Sequence, residues 1–66
     1  GGITIIKGEA ENAQIIELYR DFSLIDYLYP KSKNFEFRIV DGILNSDYTL
    51  KIYYNDGRVE DKKSFL

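Results

Sequence analysis

The chain is 66 residues long, carries a formal net charge of −2, and contains no cysteine, histidine or methionine. That length allows one small domain, 1–66, and the missing residue types exclude disulfides, thiolate or histidine metal sites, cysteine nucleophiles and Ser-His-Asp triads. The charge is too small to drive nucleic-acid binding, and no apolar run reaches the length of a membrane span.

The lack of cysteine fits a cytoplasmic setting. Gly1-Gly2 reads as a cloning or cleavage scar. The richness in Ile, Tyr, Asn, Lys and Asp is that of AT-rich coding, as in low-GC bacteria and their phages. With no staple available, stability has to come from apolar packing, for which six tyrosines and four phenylalanines supply large rings.

Ile3 to Lys7 is a short β-branched run that predicts a strand ending at Gly8. Ala10 to Tyr29 carries a helical spacing. Ile15, Leu18, Tyr19, Phe22 and Ile25 form one apolar stripe, and Glu9 and Glu11 sit in the first turn, where carboxylates favour the helix dipole. Ser23 and Asp26 resemble a capping pair that breaks and restarts the helix, and Pro30 bars its continuation. An all-β alternative pairs Ala13–Tyr19 with Ile3–Lys7 across a Glu-Asn turn; the helical stripe is longer and better registered, and is preferred.

Phe35, Phe37 and Ile39 alternate with Glu36, Arg38 and Val40 in a second strand, followed by an Asp41-Gly42 turn, an apolar Ile43-Leu44 pair and an Asn45-Ser46-Asp47 turn. Tyr48 to Phe65 is the strongest local signal, an alternating strand, an Asn55-Asp56-Gly57 turn and a returning strand. Two registers compete. A two-residue Asp56-Gly57 turn pairs Tyr54 with Val59 and puts Val59 on the core face with Leu50 and Ile52, which favours it. It also puts Asp61 and Lys63 on that face. A three-residue turn with Gly57 as a bulge shifts every partner by one.

The predicted fold is therefore α+β: one amphipathic helix packed on a three- to four-stranded, mainly antiparallel sheet, in the order strand-helix-strand-strand-strand. The predicted core is Ile3 with Ile5 or Ile6, then Ile15, Leu18, Phe22, Ile25, Phe35, Phe37, Ile39, Leu50, Ile52 and Val59.

The residue types present point to no catalytic constellation, metal site or cofactor. Asp41, Asp47, Asp56, Glu60 and Asp61 are best explained as turn formers or surface carboxylates. The expected function is non-enzymatic binding of another protein through a tyrosine cluster, Tyr27, Tyr29, Tyr53 and Tyr54, because tyrosine is enriched at interfaces. An alternative is a phage-type acidic inhibitor that mimics DNA through Glu9, Glu11, Glu17 and Asp21, with Asp26 as a further member, on the wet helix face; for it, Glu17 and Asp21 are the candidate contacts. A further alternative is a platform for single-stranded nucleic acid on the outer sheet face, with Tyr53 stacking a base and Arg38, Lys51 and Lys62 on phosphates. The last strand, guarded by Lys62 and Lys63, is a candidate edge for a homodimer.

Overall fold

The region expected to be helical is two β-strands. The computed structural model describes residues 2–40 and 47–63 and contains six strands in two antiparallel sheets, with no helix among the described residues. The strands are β1 (Ile3–Glu9), β2 (Ala13–Arg20), β3 (Ser23–Leu28), β4 (Asn34–Val40), β5 (Tyr48–Tyr54) and β6 (Val59–Lys63). One sheet is the pair β1-β4; the other runs β3-β2-β5-β6. The Asp41-Gly42 turn, the Ile43-Leu44 pair, Asn45, Ser46 and Phe65 lie outside the described residues.

The α+β expectation fails for a physical reason. The β2–β3 segment is rich in β-branched and aromatic residues, which suit a pleated surface better than a helix. Its alternation is also stricter than its helical stripe: Ile16 and Leu18 are buried while Glu17 and Tyr19, at the alternate positions, face outward. The supposed stripe is dispersed. Leu18 enters the core, Ile25 is half-buried, Ile15 and Tyr19 lie on the outer face, and Phe22 is 97% exposed. The all-β alternative was right about the Glu11-Asn12 turn, where Asn12 takes φ 62°, but wrong about the partner: β2 pairs with β3 and β5, and β1 pairs with β4. Ser23 and Asp26 cap no helix; Asp26 Oδ1 accepts a bond from the Tyr27 backbone N–H at 2.8 Å within β3.

The two sheets enclose a core of Ile6, Ala10, Ile16, Leu18, Phe35, Phe37, Tyr48, Leu50 and Ile52. Of the predicted core, Ile3, Ile5, Phe22 and Val59 are exposed, whereas Ile16 and Tyr48 were not foreseen. Gly8 lies under the Phe35 ring: a Cβ there would sit 3.0 Å from its nearest atom, so the ring packs directly on the β1 backbone. The chain crosses between sheets after β1, β3 and β4, and forms hairpins at β2–β3 and β5–β6. This is Greek-key connectivity, with strands that follow one another in the chain divided between two sheets.

The β5–β6 hairpin takes the register with the three-residue turn. Tyr53 faces Val59 and Lys51 faces Asp61, Gly57 adopts φ 93°, and Tyr54 donates its N–H to the Arg58 carbonyl at 2.9 Å. The favoured two-residue register is therefore off by one. The correction removes its difficulty, because Asp61 and Lys63 now point to the outer face. Glu60 and Lys62 take the inward positions at an edge strand, where charge blocks further pairing.

Candidate functional site: the outer face of the four-stranded sheet

Period-two alternation decides which side chains share the outer face of β3-β2-β5-β6. The cross-strand registers give three rows: Tyr27, Glu17, Lys51 and Asp61; Leu24, Tyr19, Thr49 and Lys63; and Ile15, Tyr53 and Val59. Tyr27 and Leu24 are 56% and 50% exposed on the β3 side, and on the β6 side Val59, 51% exposed, stands beside Asp61 and Lys63.

Glu17 lies in the middle row. The Tyr19 hydroxyl donates to its Oε1 at 3.0 Å. The hydrogen bond to Glu17 raises the Tyr19 phenol above its ordinary value, with some burial and the nearby negative charge adding to it. Tyr53, on the other flank, is raised by the same carboxylate for the same reasons. Lys51 Nζ lies 5.8 Å from the centre of the Tyr53 ring. One carboxylate thus raises both phenols, and the Tyr19 hydroxyl is the one bonded to it.

The sign of the pH effect follows. A phenol whose folded value is raised holds its proton more tightly when folded, so its contribution to stability is complete below the ordinary tyrosine value of about 10 and is lost as pH rises through the folded value. Substituting Glu17→Gln should lower the titration of Tyr19 and Tyr53 together and leave Tyr54 unchanged, because the Tyr54 hydroxyl bonds Glu60 instead, at 2.6 Å. Site-resolved NMR titration of the tyrosine rings measures this; a shift at only one of the two phenols would break the proposed pairing.

Phe22 stands at the rim. The turn Asp21-Phe22 joins β2 to β3 with both residues at positive φ, 49° and 72°. With Arg20 paired to Ser23, this is a two-residue hairpin turn of the type I′ kind, which normally uses Asn-Gly. Aspartate tolerates the left-handed region, whereas a bulky ring there is strained. The turn is held by a reciprocal clasp to the start of β5: Asp21 N–H donates to the Asp47 carbonyl, and Asp47 N–H donates to Asp21 Oδ1, both at 3.0 Å. Phe22, Tyr19, Asp47, Thr49, Lys51, Asp61 and Lys63 line a shallow concavity of about 380 Å³.

Asp21 is thereby a structural pin. Asp21→Ala should lower stability by about 1–2 kcal/mol, since it removes an acceptor and places alanine at positive φ; Asp21→Asn keeps both properties and should stay close to the parent. Urea titration of the three proteins is the check, and equal midpoints for alanine and asparagine would contradict this role.

The sequence-derived candidates divide as follows. Glu17, Tyr27 and Tyr53 share the outer face, and Tyr29 joins them through an edge-to-face contact with Tyr27 at 5.9 Å. Tyr54 faces the core side of the hairpin, bonded to Glu60 and stacked under the Arg58 guanidinium at 4.3 Å. The acidic stripe does not exist as a surface: Glu9 ends β1, Glu11 sits in the turn before β2, Glu17 is on the outer face and Asp21 is in the β2–β3 turn. Nor do the phosphate-binding candidates converge. Lys51 and Tyr53 share the face, but Arg38 lies on β4 in the other sheet, and Lys62 points inward at the edge. Tyr19 and Phe22 were missed because the helical spacing placed both on the apolar stripe of a helix, and Phe22 in its core.

Among the described residues no group of three or more acidic side chains is placed to hold a metal ion, and no helix is long and apolar enough to cross a membrane. Comparison with family models, curated proteins and solved structures finds no match to this chain.

Proposed function

We propose that the domain is a non-enzymatic binding module that engages another protein, through the outer face of β3-β2-β5-β6. Phe22 carries the reading. A phenylalanine that is 97% exposed gains nothing from the fold, and at φ 72° it works against it. Strained residues held in place by their surroundings concentrate at functional positions. Tyr19 lies beside it, and Tyr27, Tyr29 and Tyr53 further along the same face offer more rings with polar tips, the composition favoured at the centres of protein interfaces. Glu17 and Lys51 supply one charge of each sign for register with a partner. The absence of cysteine supports a cytoplasmic setting for this work.

The test compares two baits in affinity capture from cells of the source, the parent and Phe22→Ser, with Val40→Ser on the other sheet as control. A partner retained by the parent and by Val40→Ser, and lost by Phe22→Ser, supports the reading. Capture that is indifferent to Phe22 retires it.

A further inference from the structure

We propose that β1 is a self-association edge, along which a second copy of the chain pairs antiparallel through the backbone groups of Ile3, Ile5, Lys7 and Glu9, about a two-fold axis at Ile6.

Hydrogen-bond parity identifies the open groups. Ala10 N–H donates to the Lys33 carbonyl at 2.7 Å, in the same register that pairs Ile3 with Val40 and Glu9 with Asn34. Bonded pairs in an antiparallel ladder recur at every second residue, so Gly8, Ile6 and Thr4 bond to β4. The N–H and C=O groups of Ile3, Ile5, Lys7 and Glu9 therefore point the other way, where no described strand pairs with them.

The β6 and β3 edges carry protection that β1 lacks, and the β4 edge holds its two charges at its centre. β6 reads Val-Glu-Asp-Lys-Lys with charges turned inward, β3 is short and pairs through a bulge, and the open groups of β4 belong to Asn34, Glu36, Arg38 and Val40. β1 offers seven residues with Ile3 and Ile5 exposed at 57% and 46%, and its two charges, Lys7 and Glu9, both fall in the second half of the strand. Long, apolar, unguarded edges are the ones that recruit strands.

A second copy fits because the edge is self-complementary. With the axis at Ile6, Ile5 faces Lys7 of the second copy and Ile3 faces its Glu9, so all four open residues of each chain find partners. A shift by two residues in either direction leaves open groups unmatched. The pairing joins two two-stranded sheets, which are marginal alone, into one four-stranded sheet β4-β1-β1-β4. It also leaves the aromatic face of the other sheet free, so a dimer would present that face twice. The surface and its test are independent of the binding function proposed above.

The experiment is sedimentation of the whole chain over a wide concentration range, together with amide hydrogen exchange. The expected result is a reversible dimer in which the Ile5 and Lys7 amides gain protection with concentration while the Ile6 amide, already bonded to β4, does not. Ile5→Pro removes an open-edge N–H without touching the β4 ladder and should weaken association at least about tenfold, since symmetry removes the bond twice. Ile5→Lys sets a lysine opposite Lys7 and should also dissociate the dimer, whereas Ile5→Glu should preserve it; this pair decides the matter if the proline variant fails to fold. A monomer at every concentration overturns the proposal. So does a dimer that survives both Ile5→Pro and Ile5→Lys, or one that dissolves on Asp61→Pro at the β6 edge instead.

Discussion

Phe22→Gly should make the domain more stable while removing its binding. A glycine at the second position of a type I′ turn relieves a left-handed conformation that costs an ordinary side chain about 1–2 kcal/mol. The ring gives up almost no packing in exchange, because it is 97% exposed. Part of the gain is offset by the greater freedom of glycine in the unfolded chain, which leaves about 1 kcal/mol net. In a domain of this size that raises the melting temperature by roughly 4–8 °C. Thermal melts and the capture assay, run on the same preparation, give the two halves of the result. Higher stability with binding intact would mean that Phe22 is not the contact, and lower stability would mean that the ring packs in a way its exposure denies.

The second large effect separates two adjacent isoleucines. Ile16 is completely buried between the sheets, so Ile16→Ala should cost about 2–5 kcal/mol, through lost transfer energy and the cavity left behind. Small domains of this length are marginal, so that loss unfolds much of the population at room temperature. Ile15, one residue earlier, points to the outer face and is only half-buried, so Ile15→Ala should cost well under half as much. A helix with Ile15 on its apolar stripe reverses the order. Urea unfolding of the two variants therefore distinguishes strand from helix at this segment directly.

The legible parts of the fold were those with alternation and glycine together. Phe35, Phe37 and Ile39 showed their inward face plainly, as did Leu50 and Ile52, and Gly57 marked the second hairpin. The first hairpin was hidden because its turn is Asp21-Phe22, a pair with neither glycine nor asparagine at the positive φ positions. Without a visible turn, two strands of alternating sequence merged into a run whose apolar residues also fit a 3.6-residue period. The signal that was there is the near-symmetry of Ile15–Arg20 and Ser23–Leu28 about two residues, each run carrying isoleucine, leucine and tyrosine. The register of the second hairpin missed by one because Val59 looked like a core residue, while the bulge geometry of Gly57 places it opposite Tyr53 on the outside.

The candidate site was legible in part, and for a different reason than the fold supplies. Tyr27, Tyr29 and Tyr53 were singled out by residue type alone, and the sheet brings them onto one face with Glu17. Tyr54 has the same chemistry but the opposite face, which only the strand register reveals. Tyr19 and Phe22 needed the turn at residues 21 and 22 to be known first, since it turns both away from the core.

The clasp between Asp21 and Asp47 also bears on the order of events in folding. It links residues 26 positions apart, and it closes only when the first hairpin has docked on the strand that leads the second. Each hairpin is local and can form early, whereas the meeting of β2 with β5 and of β1 with β4 must close long loops, which is the slow part of a Greek key. A contact made at the end of that sequence contributes little at the barrier and acts afterwards as a latch. Its loss in Asp21→Ala belongs mainly in a faster unfolding rate, with the folding rate nearly untouched.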